Sequence, residues 1–114
     1  MIKIKIYKTN YGKVHFKVPF YEWRDDLDPT TRALIRTRLK RVELGNWGNC
    51  HPIKPGNDIW EIVIDYGPGY RIYYGRKSLT FIILLTAGEK KTQKRDIEKA
   101  KQYWKECEAK ESYE

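Results

Sequence analysis

The sequence predicts an α+β fold: an antiparallel sheet, an N-terminal helical hairpin and a C-terminal helix. Three observations carry that prediction. Residues 59–74, IWEIVIDYGPGYRIYY, alternate with period two on either side of Gly67-Pro68-Gly69, which describes two strands around a tight turn. Residues 19–44 and 93–107 place their apolar side chains at helical spacing instead. Residues 79–86, LTFIILLT, form a continuous apolar run, the pattern of a strand covered on its faces. Helices before and after a block of hairpin-linked strands give a layered α+β domain.

The elements follow in order. Ile2, Ile4 and Ile6 alternate with Lys3 and Lys5, so the chain opens with a strand whose outer lysines either guard a sheet edge, the favoured reading, or belong to a nucleic-acid surface. Asn10-Tyr11-Gly12 signals a turn, and Val14, Phe16 and Val18 allow a second strand over 13–18. Pro19 opens a short helix with Phe20, Trp23 and Leu27 on one face. Asp28 is a good N-cap and Pro29 suits the first position of a second helix. That helix runs to about residue 44, with Leu34 or Ile35, Leu39 and Val42 as its buried stripe and Gly45 as its stop. Residues 45–58, GNWGNCHPIKPGND, form a turn-rich loop anchored by Trp47. After the central hairpin, Arg76-Lys77-Ser78 turns into the apolar strand 79–86, and Ala87 to Lys91 leave it as a basic loop. Thr92 is placed to cap the last helix, with Ile97, Ala100, Trp104 and Cys107 as its stripe. The polar tail from about 108 is expected to fray.

A chain of 114 residues forms one domain, 1–114, around one core. It is 40% hydrophobic and 14% aromatic, a globular composition. Lys and Arg total 23 against 15 Asp and Glu, a net charge of +8, which suits a polyanionic partner such as nucleic acid, or an acidic protein. Cys50 and Cys107 have no metal-ligand spacing and read as free thiols in a reducing cytoplasm. The start MIKIKIYK lacks the apolar core of a signal peptide, and FIILL is far too short to span a membrane.

No Ser-His-Asp arrangement, paired-carboxylate motif or phosphate-binding glycine loop is present. His51 has no Cys, Asp or His cluster beside it, which argues against a metal, and no cofactor is implied. The return strand of the hairpin puts Arg71 and Tyr73 on one face, expected to be open, with Tyr70, Ile72 and Tyr74 on the other. Lys54 precedes the hairpin, and Lys90 and Lys91 follow the last strand. An arginine beside a tyrosine there fits a phosphate and a base; a surface arginine among packed tyrosines is the competing reading. RNA cleavage is compatible with such a set, because the substrate's own 2′-hydroxyl is the nucleophile. The protein need only help remove its proton, hold the phosphate in line and stabilise the charge that develops. Arginine suits the phosphate, lysine can serve as base, and Tyr73 can stack on a base. Substituting Arg71 by alanine is expected to remove activity and spare the fold.

Several of these residues also carry a resemblance. Pro19-Phe20 with Trp23, the helix end RVELGN at 41–46, Lys54-Pro55, IDYGPGYRIYY at 64–74, GEKKTQ at 88–93, Asp96-Ile97 and Ala100-Lys101 together resemble the RelE/ParE superfamily of toxins from type II toxin–antitoxin modules. The likeness is greatest to the HigB-like, phage-derived addiction-module killer branch, and runs from Pro19 to about Lys105. It implies a metal-independent endoribonuclease that cleaves translated mRNA in the ribosomal A site. It also implies a cognate antitoxin, through which operator DNA is reached. By matching position, Arg71 corresponds to the family's phosphate-binding arginine, and Lys54, Lys90 and Lys91 to its basic catalytic groups. Tyr73, His51 and Lys94 complete the candidate RNA contacts. The chain departs from the branch at Asn49-Cys50-His51, at Ala87 and at Glu89, and 14–17 looks like an insertion. The same superfamily includes ParE-type inhibitors of DNA gyrase, and a catalytically silent module that binds antitoxin and DNA is a further alternative.

Overall fold

A computed structural model describes residues 1–9, 17–53, 58–110 and 113. The elements are β1 (Lys3–Ile6), α1 (Pro19–Asp25), α2 (Pro29–Glu43), β2 (Cys50–Pro52), β3 (Ile59–Ile64), β4 (Tyr70–Ser78), β5 (Phe81–Glu89), a 3₁₀ turn (Lys90–Thr92) and α3 (Gln93–Lys110). They form the expected α+β fold. The five strands lie in the order β1-β5-β4-β3-β2. Strands β2 to β5 are successive antiparallel neighbours, while β1 runs parallel to β5. The departure from a purely antiparallel sheet has a simple cause. The chain leaves β1 through the helical hairpin and re-enters the sheet at its far edge, so β1 is added last, beside β5.

Local chemistry sets the element ends. Asp28 Oδ2 accepts from the Thr31 backbone N–H at 3.2 Å, and its Oδ1 accepts from the Thr31 hydroxyl at 2.6 Å, which caps α2 behind Pro29. In the β3–β4 turn, Gly67 and Gly69 take φ of 56° and 80°, a region that penalises any β-carbon. The strands run longer than expected. Arg76 to Ser78 belong to β4 and the reversal falls at 79–80; Ala87 to Glu89 remain in β5. Within the expected loop, Cys50 to Pro52 pair with β3 as a short edge strand. α3 continues to Lys110, and Tyr113 bridges to Tyr7. Residues 13–16 of the suggested second strand lie outside the described residues, and Lys17 and Val18 are not in a strand.

Helices cover both faces of the sheet. On one, Phe20, Ile35 and Val42 pack on Ile62, Ile72, Tyr74 and Leu84. Ile35 is buried and Leu34 is 37% exposed, which settles which of them faces the core. Trp47 stacks on Tyr74 at 5.7 Å between ring centroids, the anchor its loop needs. On the other face, Ala100, Trp104 and Cys107 of α3 cover Ile59, Tyr73, Ile83 and Leu85. The expectation of an open face carrying Tyr73 is therefore corrected: that ring is 0% exposed. The physical reason lies in β5, whose Ile82 to Leu85 are apolar on both sides, so that the second side also needs a lid. Burying the Trp104 ring there contributes about 2–3 kcal/mol.

Candidate active site

The glycine turn sends β4 back along β3 in a register that pairs Val63 with Arg71 and Glu61 with Tyr73. On the adjoining strands, Arg71 pairs with Gly88 and Tyr73 with Thr86, and His51 of β2 pairs with Glu61. Partners in an antiparallel pair share a face. His51, Glu61, Tyr73 and Thr86 thus form one row across the sheet, on the α3 side, with Arg71 and Gly88 in the next.

Glu61 is the hub of this arrangement. It is 7% exposed, and a buried carboxylate needs partners. Arg71 Nη1 donates to its Oε1 at 3.5 Å, and Gln93 Nε2 from the first turn of α3 donates to its Oε2 at 3.1 Å. The Arg71 side chain is 16% exposed, so its guanidinium is held at the rim of the α3 lid and not in bulk solvent. Its Nε is buried with no hydrogen-bond partner among the described residues, and the Tyr73 hydroxyl is in the same condition. Burial pushes the Tyr73 phenol above its ordinary value, and the neighbouring Glu61 and Asp96 carboxylates push it further, against the opposing pull of Arg71. The phenol therefore stays neutral. One guanidinium nitrogen and the phenol beside it are thus left without partners among the described residues, which marks this spot as short of an oxygen ligand.

The basic turn is docked next to it. The Lys90 N–H donates to the Gly69 carbonyl at 2.9 Å, fastening the 3₁₀ turn to the turn that precedes Arg71. Lys90, Lys91, Lys94 and Arg95 are all exposed. Lys91 meets Glu89 at 3.6 Å with its side chain 80% exposed, a screened pair that leaves the ammonium available. Thr92 does not cap α3 by accepting from the backbone. Its hydroxyl lies 2.6 Å from Asp96 Oδ2 and 3.1 Å from the Glu89 carbonyl, toward which its single proton is shared. Asp96 is buried against the sheet, and a β-carbon at Gly88 would collide with its carboxylate. Only glycine opposite Arg71 lets α3 begin this close to β5.

The structure thus brings Arg71, Lys90, Lys91 and Lys94 to one end of the sheet. His51 lies one strand further out, exposed at the β2 edge and hydrogen-bonded through Nε2 to Asn49 Oδ1. Tyr73 is beneath the site and not on it; its covered ring cannot present a face to a base. Lys54 lies outside the described residues. Glu61, Gln93 and Asp96 were missed as site residues. Glu61 was recoverable: counting back from the glycine turn places it on the face of Arg71, one pair away, the only charge within the apolar run IWEIVI. Gln93 and Asp96 depend on how α3 docks, which no local pattern announces. Among the described residues, no three His, Cys, Asp or Glu side chains cluster as a metal site. Among the same residues, no helix is long and apolar enough to cross a membrane.

Comparison with known proteins agrees with the toxin resemblance at a coarser level. A Haemophilus influenzae protein described as uncharacterized is 41% identical over 70 residues, covering 61% of this chain and 69% of that protein. The profile of the phage-derived Gp49-like proteins (DUF891) matches residues 22–105, from α1 through most of α3, and so includes the whole Arg71 site. The chain belongs to this Gp49-like family, within the toxin group of addiction modules.

Proposed function

We propose that this chain is a ribosome-dependent mRNA endoribonuclease, the toxin of a type II toxin–antitoxin module, acting in the cytoplasm to arrest translation. The observation that supports it most is the Arg71 guanidinium, fixed by Glu61 yet with its Nε buried and unbonded, at the foot of an exposed basic turn. A phosphate oxygen is the ligand that completes such a group. Cleavage then needs no protein nucleophile. The 2′-oxygen attacks the adjacent phosphorus, the 5′-oxygen leaves, and the products are a 2′,3′-cyclic phosphate and a 5′-hydroxyl. Arg71 holds the non-bridging oxygens and gains most where charge accumulates, in the phosphorane-like transition state. Lys90 and Lys91 stand at the entrance to supply further charge and proton transfer, with Lys54 on the segment that leads into β3. His51 and Lys94 flank the RNA path, and Glu61 positions Arg71. The partners in this reading are mRNA on the ribosome, a cognate antitoxin, and operator DNA through that antitoxin.

The test is induction of wild type and Arg71→Lys in bacteria, with 5′-end mapping of a translated message. Lysine keeps a cation beside Glu61 and loses the planar fork. New ends confined to translated frames, and reduced about 10²-fold or more in the variant, are expected. Arg71→Lys cutting at the wild-type rate would refute the assignment. Growth arrest without new ends would redirect it to a protein target such as gyrase.

A further inference from the structure

The face of the sheet opposite Arg71 carries a second guanidinium cluster that RNA cleavage does not use. The register of β2, β3 and β4 pairs Cys50 with Ile62 and Trp60 with Tyr74, on the face that the helical hairpin covers. Arg76 follows Tyr74 by two residues on β4 and shares that face. Its guanidinium lies over two half-buried indoles, 4.3 Å from the Trp60 ring centroid and 4.9 Å from that of Trp47. Arg38 of α2 reaches the same spot: its Nη1 donates to the Trp47 carbonyl at 2.7 Å and its Nη2 to the Asn49 carbonyl at 3.3 Å. Both acceptors are neutral, and neither arginine has an ion pair among the described residues. Cys50 supplies no counter-charge. Its thiol donates to the Trp47 carbonyl at 2.9 Å, and burial pushes it above its ordinary value against the pull of Arg38 and Arg76, so it stays protonated. Two buried polar atoms are also left over. Among the described residues, neither the Arg76 Nε nor the hydroxyl of Tyr74, a residue that is 0% exposed, has a hydrogen-bond partner. Beside that hydroxyl lies only the sulfur of Cys50, a weak acceptor.

We propose that Arg76 and Arg38 form a binding site for a phosphomonoester, the group shared by inorganic phosphate and a mononucleotide. The charges select this ligand. Two guanidinium groups without a counter-ion match a group that carries close to two negative charges at neutral pH. A carboxylate, or the phosphodiester of an RNA backbone, brings only one. The chemistry of Arg76 agrees. Cation–π contact holds a guanidinium in place through the aromatic rings and leaves N–H groups for an oxygen ligand. Those N–H groups form a planar fork that suits two oxygens of one phosphate. The indoles and the Trp47 and Asn49 carbonyls fix both arginines beforehand, so binding orders little that is free. Neither end left by the proposed cleavage, a 2′,3′-cyclic phosphate and a 5′-hydroxyl, is a phosphomonoester. The site is therefore separate from the Arg71 chemistry in ligand as well as in place.

The probes are inorganic phosphate and adenosine 5′-monophosphate, each titrated into the full chain at a constant ionic strength of about 0.15 M. The indole N–H resonances of the four tryptophans are followed by NMR. Saturable shifts at Trp47 and Trp60 are expected, with Trp104, on the other face, unmoved. Arg76→Lys keeps the charge and gives up the fork, and should weaken both ligands about tenfold or more with an unchanged circular dichroism spectrum. Arg38→Lys, which can still donate to the Trp47 carbonyl, should weaken them as well, and serves if the Arg76 variant does not fold. Arg71→Lys should leave the Trp47 and Trp60 titrations as they are. Equal affinity for the two probes would assign the site to the phosphate group alone, and tighter binding of the nucleotide would assign it to a nucleotide; both outcomes support the proposal. It fails if the Trp47 and Trp60 shifts do not saturate, if acetate or a dinucleoside phosphodiester produces them equally well, or if Arg76→Lys and Arg38→Lys, both folded, bind as wild type does. None of these readouts involves cleavage, so a chain that binds phosphate here and cuts no message would remove the nuclease and leave this site.

Discussion

Arg71 shows how much a single partner changes the meaning of a residue. On an open face its removal would cost the fold little, and that was the expectation from sequence. Beside Glu61 the cost differs, because Arg71→Ala leaves a carboxylate that is 7% exposed with only Gln93 to bond it. We expect Arg71→Ala to lower stability by on the order of 1–3 kcal/mol. Adding Glu61→Gln should return part of that loss, since a neutral amide is less costly to leave in place than a charge. A double-mutant cycle from urea denaturation measures the coupling. Additive effects would mean that the 3.5 Å contact contributes nothing to the fold and that Glu61 is held by Gln93 alone. The practical consequence is that loss of activity in Arg71→Ala mixes misfolding with lost chemistry, which is why Arg71→Lys is the cleaner probe of function.

At the scale of elements, the junction between β5 and α3 determines where the basic groups stand. Thr92 and Asp96 close the 3₁₀ turn, and the Lys90 N–H ties it to Gly69. Gly88→Ala pushes a methyl into the Asp96 carboxylate, so either α3 retreats or the Thr92 contact breaks. A loss of about 1–3 kcal/mol is expected, seen as a lower urea midpoint with unchanged slope. Asp96→Ala in the same background should recover stability, because it removes the atom that is struck. The sequence makes the strands, the Asp28 cap and the turn at 67–69 legible because each is a local matter of periodicity or backbone preference. It makes Arg71 and the Lys90–Lys91 turn legible as neighbours, since that turn follows the strand paired with β4 and bonds to Gly69 just before Arg71. It does not show that α3 lies over Tyr73. The stripe Ile97, Ala100, Trp104 and Cys107 announces an amphipathic helix, yet nothing in it states which face of the sheet it covers. Tyr73 was misjudged for the same reason: a tyrosine suits an exposed site and a half-buried core equally, and only its neighbours decide. The strand at Cys50–Pro52 was hidden by its length and its proline, which is tolerated at a sheet edge.

For the whole molecule, a net charge of +8 is divided between two faces with different surroundings. On one, the side that carries Arg71, the cations Lys90, Lys91, Lys94 and Arg95 are exposed on the 3₁₀ turn and the first turn of α3. On the other, Arg32, Arg36 and Arg41 rim an aliphatic groove. If the first face tracks a single strand of RNA, these five cations each displace about one counterion's worth of charge. Affinity for a single-stranded RNA should then fall with salt with a log–log slope near −3.5, at about 0.7 per phosphate contact. Lys90→Ala/Lys91→Ala should make that slope shallower by about 1.4, whereas Arg32→Glu/Arg36→Glu should leave it unchanged though it removes more positive charge. The comparison separates local contact from overall attraction. A protein drawn to RNA by its total charge would respond more to the charge-reversal pair, wherever it lies. Fluorescence anisotropy between about 0.05 and 0.3 M salt reads both slopes, and an equal response to the two variants would mean that the basic turn is not the RNA surface.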